Sequence, residues 1–378
     1  MKLYSWVSLS VIVIFLGACG GGGSGAPASV VATEEEVGKL IFEDTRLSAN
    51  MNQSCASCHA ASAGFADPDV TKASPVSEGS IAGEFGNRNA PVTAYSKFSP
   101  SFTQINDPVR GLIYVGGQFV DGRRDTLEEQ AKDPFMNPVE MANPAPQAVV
   151  NKIRNGSYAD KFMAVYGDNV FDNTVIAFDR IAEAIAAFER SNEMNSFTSK
   201  FDCYAQNPTL YPLSVSEKNG LDVFNDPNGG KCSSCHTSTP DPVSGKVLFT
   251  NFQHINIGVP SNPDNPANKA NASFVDLGLG GRLLVAAEEG KFKTPTLRNI
   301  ELTAPYMHNG VYDSLHAVIQ HYDIDVPSRN HEPEVIANIA AELEFDTFNN
   351  LNLSPENYTD LESFMKTLTD GTGVGVCF

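Results

Sequence analysis

Apolar residues recur along this chain at helical rather than strand spacing. Val37, Leu40 and Ile41 form one face, and Thr33 followed three positions later by Glu36 is a capping-box pattern that predicts a helix opening there. Phe178, Ile181, Ile185 and Phe188 make the stripe of an amphipathic helix that closes the first half of the chain. From Asp313 to Tyr322 the apolar positions are Leu315, Val318 and Ile319, and continuing their phase reaches Tyr322. Tyr322 therefore shares their inward face, whereas His316 and His321 are rotated off it. Period-2 alternation is scarce, and Pro- and Asn-rich stretches such as Val259 to Asn271 predict long loops between short helices. The expected class is mostly α.

Met1 and Lys2 precede an apolar run from Val11 to Leu16, which ends Leu16-Gly17-Ala18-Cys19 before Gly20 to Gly23. Such a start marks a secretory signal over residues 1–18, too short for a spanning helix with ordinary flanks. Leu-Gly-Ala-Cys resembles a bacterial lipobox, in which Cys19 becomes the lipidated first residue of the mature chain. A plain cleaved signal with Cys19 unused is the alternative. Residues 19–32 then read as a flexible tether. The expectation is a lipoprotein of the periplasm or cell surface of a Gram-negative bacterium, touching the membrane through its N-terminal lipid only.

A length of 378 residues suggests two or three domains, and 42% apolar with 19% charged residues excludes a collagen, a coiled coil or a disordered chain. The formal charge of −19 disfavours a nucleic-acid partner; it either keeps the protein soluble or favours a cationic or neutral docking partner. Loss of residues 1–18 would remove Lys2 and the only tryptophan, Trp6.

Cys55-Ala-Ser-Cys58-His59 and Cys232-Ser-Ser-Cys235-His236 are both C-x-x-C-H, the c-type haem attachment signature. Two thioethers anchor the porphyrin edge while the adjacent His is held beneath the iron. A zinc site would need further Cys or His at short spacing, and a thioredoxin-type pair needs no following His. The motifs lie about half a chain apart, which predicts two cytochrome c-like domains, 33–197 and 198–378, with one haem each. Asn192 to Asn219 reads as the crossing between them. Cys203 and Cys377 are left over; in an oxidising compartment they pair, or they remain free thiols.

No histidine lies between His59 and His236, so the first haem has no second imidazole from its own half. Its iron is expected to be open or water-bound, with Met136 and Met141 the alternative ligands. An open iron is where peroxide binds, whereas a doubly ligated one carries electrons. The second haem has Met307, His308, His316, His321 and Tyr322 as candidates. From phase alone Tyr322 is either a ligand or a core tyrosine with an ordinary hydrogen bond.

Further stretches carry a resemblance: Arg88-Asn89-Ala90-Pro91, Asp121-Gly122-Arg123 running into Leu127 to Ala131, Asn137-Pro138-Val139-Glu140-Met141, and Thr294 to Asn299 running into Thr303 to Gly310. In order and spacing around two C-x-x-C-H motifs, the chain resembles the bacterial di-haem cytochrome c peroxidase and MauG superfamily over nearly all its mature length. That resemblance implies that Glu140, Gln130 and Pro134 line the distal pocket of the His59 haem. Glu140 would shuttle the proton of bound peroxide and Gln130 would orient it. It further implies that His308 is a pocket residue of the second haem rather than a ligand. Asn89 and the carbonyls of Thr303 and Pro305 would hold a calcium ion between the domains.

Departures from the pattern carry information. The superfamily's peroxidases usually place a methionine where this chain has Tyr322, and a distal histidine in the loop where it has Ser80 to Asn87. Tyrosine there is the MauG-like arrangement, and a phenolate stabilises oxidised iron where methionine raises the potential. The family's tryptophan before Asp-Gly-Arg is Val120, so Phe119 or Tyr114 would have to help couple the haems. The resemblance thus implies a di-haem oxidoreductase that uses hydrogen peroxide to form high-valent iron. That oxidant would oxidise an external donor, such as a small cytochrome or cupredoxin, or a partner protein's side chain. The alternatives are a conventional cytochrome c peroxidase that detoxifies peroxide and a non-enzymatic di-haem electron carrier.

Overall fold

The computed structural model describes residues 31–108, 110–325, 333–335, 351–371 and 377. The signal segment, Cys19 and most of the tether lie outside these residues. Helices dominate, and the strands are confined to two small antiparallel pairs. One pair is a hairpin of Thr103–Asp107 with Gly111–Val115, and the other sets His254–Ile255 against Phe292–Lys293. Neither was legible in the alternation pattern. The hairpin strands are largely exposed, and the second pair is too short to show a period.

Two helix crossings organise the buried residues, and they are built alike. The Glu34–Phe42 helix opens on Thr33, whose hydroxyl accepts from the Glu36 amide while the Glu36 carboxylate accepts from the Thr33 amide. It packs on the Thr174–Glu189 helix, with Gly38 so close to the backbone of Ala184 that any Cβ would overlap its carbonyl. The rings of Phe42 and Phe188 meet edge to face at 5.2 Å. In the second half the Val215–Asn225 helix, capped by a Ser214 and Glu217 box, crosses the Pro355–Lys366 helix. There Gly220 lies against the Asp360 carbonyl, and Phe224 meets Phe364 edge to face at 5.2 Å. One apolar cluster runs from Val37 to Met194 and a second from Phe201 to Leu368.

The segment read as the crossing between the two halves, Asn192 to Asn219, contains a helix at Lys200–Gln206, because Ser199 and Asp202 form another capping box. Asp202 also receives two hydrogen bonds from the wholly buried Arg298 guanidinium, at 2.8 and 3.0 Å. Cys203 on this helix is disulfide-bonded to Cys377, with Cα atoms 5.2 Å apart. No helix among the described residues is long and apolar enough to cross a membrane.

Candidate functional site

Each C-x-x-C-H motif opens onto a cavity. A short helix at Cys55–Cys58 places His59 at its end, on a cavity of about 530 Å³ that Cys55, Cys58 and His59 line. A single turn at Cys232–Ser234 delivers Cys235 and His236 to a second cavity of about 260 Å³. His59 Nδ1 lies 3.3 Å from the Phe65 carbonyl and His236 Nδ1 lies 3.1 Å from the Phe249 carbonyl. A ring that donates through Nδ1 keeps its lone pair on Nε2, the tautomer an iron ligand needs. Burial lowers both imidazole pKa values, that of His236 to about 4. Burial also pushes the thiols of Cys58 and Cys232 up to about 12. The residues therefore fit two covalently held haems, which His59 and His236 could ligate. Among the described residues no group of three or more His, Cys, Asp or Glu is arranged to bind a metal ion directly.

Gln130, Pro134 and Glu140 all line the first cavity. Gln130 ends the Leu127–Gln130 turn and Pro134 sits in the next, Asp133–Met136. Glu140 follows, tied to Asn137, whose side-chain amide donates to Glu140 Oε1 at 2.9 Å. Burial raises the Glu140 pKa, opposed by the Asn137 hydrogen bond and the charge of Arg123, which lines the same cavity. Met141 also lines it, whereas Met136 does not: its helix turns that side chain into the first apolar cluster. Among the described residues no histidine other than His59 lines it. Two lining residues escaped the sequence reading. Glu189 is 3% exposed, its Oε2 has no hydrogen-bond partner, and burial pushes its pKa to about 8. Tyr95 is 2% exposed and donates its hydroxyl proton to Asp370. No motif marked either of them in the sequence.

The second cavity takes Leu315, Val318, Ile319 and Tyr322 along one wall, the helical stripe expected from phase. His316 lies at the surface with Glu362, 3.1 Å away. His321 leaves the stripe yet is fully buried, Nε2 lying 2.9 Å from the Ile257 carbonyl and Nδ1 3.0 Å from the Tyr312 hydroxyl. Beyond Gln320 the helix continues as a π-turn over His321–Asp325. Burial raises the Tyr322 pKa, and the nearby Cys235 and Cys232 add to it, so the phenol sits close to the attachment cysteines. Met307 lines this cavity too. His308 lines it with its ring stacked on Phe292 at 3.8 Å and Nε2 2.9 Å from a carboxylate oxygen of Glu334. Glu334 was missed because only the fold brings it beside His308.

Asn89 to Val92, Val120 and Lys293 to Thr296 line both cavities and form the wall between them. Phe119 lines the first, with the Arg123 guanidinium 3.3 Å from its ring centre. Tyr114, the other expected aromatic coupler, lines neither: the hairpin carries it away to stack on Phe102 at 5.2 Å. Lys293 donates to the Gly117 carbonyl at 2.5 Å, and burial lowers its pKa to about 8. Thr303 and Pro305 line the second cavity with Asn89, whose amide nitrogen donates to the Pro75 carbonyl at 2.8 Å. Among the described residues no hydrogen bond is recorded to Asn89 Oδ1 or to the carbonyls of Thr303 and Pro305.

Residues 32–209 match the family model described as di-haem cytochrome c peroxidase. The chain is 36% identical to the methylamine utilization protein MauG of Paracoccus denitrificans, over 96% of this chain and 94% of that protein. A variant of the diheme peroxidase BthA from Burkholderia thailandensis superposes with a TM-score of 0.80 at 30% identity, covering 89% of this chain and 86% of that one. A MauG-like protein associated with microbial copper homeostasis matches at 28% identity with a TM-score of 0.67, covering 93% and 97% of the two chains. With both haem cradles intact and relatives aligned along nearly its whole length, this chain belongs to the di-haem cytochrome c peroxidase and MauG family of oxidoreductases.

Proposed function

We propose that this enzyme is MauG-like: it reacts with hydrogen peroxide in the His59 cavity and delivers the oxidising equivalents to a side chain of a partner protein. The observation that carries this reading is the contrast between the two cavities. The first holds a half-buried carboxylate, Glu140, and among the described residues no histidine besides His59; the second sets a phenol, Tyr322, in the same space as His236.

When bound, the haems supply the iron that reduces peroxide and store the oxidising equivalents. Around that chemistry the chain's own side chains have separate tasks. Glu140 accepts a proton from peroxide and returns it to the departing oxygen, its burial holding its proton affinity above that of a surface carboxylate. Gln130 orients the oxidant through its side-chain amide, and Pro134 shapes the pocket beside it. Tyr322 would supply an oxygen donor to the second haem, and His308 remains a wall residue held by Glu334. Asn89 and the carbonyls of Thr303 and Pro305 supply neutral oxygen ligands for a calcium ion between the halves. Cys19 carries the lipid that holds the enzyme to the membrane outside the cytoplasm. The matched MauG-like protein is associated with copper homeostasis, which makes a copper-associated protein a candidate substrate.

Spectra of the resting oxidised holoenzyme test this. One high-spin haem and one low-spin haem with an oxygen ligand are the expected result. Two low-spin haems with nitrogen or sulfur in both sixth positions would identify an electron carrier instead. A MauG-like enzyme will also change the mass of its partner when peroxide is added, and turnover confined to small cytochrome donors would return it to the conventional peroxidases.

A further inference from the structure

We propose that Tyr95 is a redox-active side chain of the first cavity, giving an electron to the oxidised haem there and its hydroxyl proton to Asp370. The inference rests on the peroxide reaction proposed above. It begins with which side chains near the haem can be oxidised at all. Among the described residues there is no tryptophan, and Tyr95 is the only tyrosine lining the first cavity.

A phenol releases an electron readily only if its proton leaves at the same time, and Tyr95 has an acceptor in place. Its hydroxyl donates to Asp370 Oδ2 and accepts from the Phe197 amide at 3.2 Å. Asp370 is itself held, its Oδ1 accepting from the Thr198 amide at 2.9 Å and its own amide donating to Asn299 Oδ1 at 2.8 Å. The Arg298 guanidinium lies 5.1 Å from the Tyr95 ring centre. That charge penalises a cationic ring, so the accessible product is the neutral phenoxyl with its proton on the carboxylate. One electron moves to the oxidised haem and one proton moves from Tyr95 Oη to Asp370 Oδ2. The phenol is restored by one electron from the donor or substrate protein and by return of the same proton. Met141 shares the cavity, but a thioether has no proton to release.

The test is electron paramagnetic resonance of the holoenzyme freeze-quenched after peroxide without a donor, with the haem absorbance followed in parallel. Wild type should give a tyrosyl signal that narrows when ring-deuterated tyrosine is incorporated. Tyr95→Phe should lose the signal and Asp370→Asn should diminish it, while both keep wild-type haem content and form the oxidised haem on adding peroxide; that oxidised absorbance should then decay more slowly in Tyr95→Phe than in wild type. An undiminished signal in Tyr95→Phe, or no signal in wild type despite a normal absorbance change, would overturn the proposal. Absence of any absorbance change in wild type would instead refute the peroxide reading and this inference with it.

Discussion

Arg88, from the first half of the chain, reaches Asp276 of the second half with two hydrogen bonds, Nε to Oδ2 at 2.6 Å and Nη2 to Oδ1 at 2.8 Å. Its remaining terminal nitrogen, Nη1, donates to Asp121 at 2.7 Å, and Asp121 is bound in turn by Arg123. Burial opposes ionisation of both aspartates, yet the guanidinium groups hold both below their ordinary value of 3.8.

Removing the cation should therefore be costly. Arg88→Met leaves the buried Asp276 carboxylate without its guanidinium and Asp121 with Arg123 alone, and should cost about 3–5 kcal/mol of stability at neutral pH, read by chemical denaturation. In wild type the folded values lie below the unfolded ones. The stabilisation is thus complete above pH 3.8 and is lost as pH falls through the depressed values. A variant with wild-type stability and wild-type acid sensitivity would contradict this.

Glu140→Gln keeps the size of the side chain and removes the base. The reaction of the oxidised enzyme with peroxide should slow by roughly 10² to 10⁴ in stopped flow. Because burial raises this carboxyl's pKa, the acid limb of the wild-type pH–rate profile should lie above the ordinary 4.5, with the rate falling as pH drops through it. The limb should vanish in the variant.

Replacing Tyr322 with Met should raise the reduction potential of the second haem, since a thioether favours the reduced iron that a phenolate disfavours. Spectropotentiometry reads this directly. An unmoved potential would mean that the phenol is not a ligand.

Glu189 titrates in the opposite sense to the aspartates. Its folded pKa of about 8 exceeds the ordinary 4.5, so it binds its proton more tightly when folded, and stability declines as pH rises between those values. The slope is up to about 1.4 kcal/mol per pH unit. Glu189→Gln should flatten that decline in denaturation curves measured from pH 5 to 9.

The Cys203–Cys377 bridge closes a sequence separation of 174 residues. On the chain-entropy model such a loop contributes about 5 kcal/mol. Cys203→Ala should lower the denaturation midpoint accordingly, and the wild-type intact mass should rise by two hydrogens on reduction. A reductant-insensitive mass would exclude the bridge.

Much of this protein is written in short stretches of sequence, because covalent haem attachment and helix capping are local chemistry. Two C-x-x-C-H motifs, the Thr33 box, the Phe178 to Phe188 stripe and the phase that carries Leu315 to Tyr322 need only neighbours a few residues apart. They were sufficient for a mostly helical, two-haem reading and for Glu140, Gln130 and Pro134 as cavity residues through family resemblance. Tertiary structure alone decided which distant groups meet. It set Tyr95 against Asp370, Arg88 against Asp276 and His308 against Glu334, and it removed Tyr114 from the wall between the cavities. Contacts between side chains tens to hundreds of residues apart leave no periodic trace, and burial, which sets the proton affinity of Glu189 and Lys293, belongs to the folded surface and not to the residue.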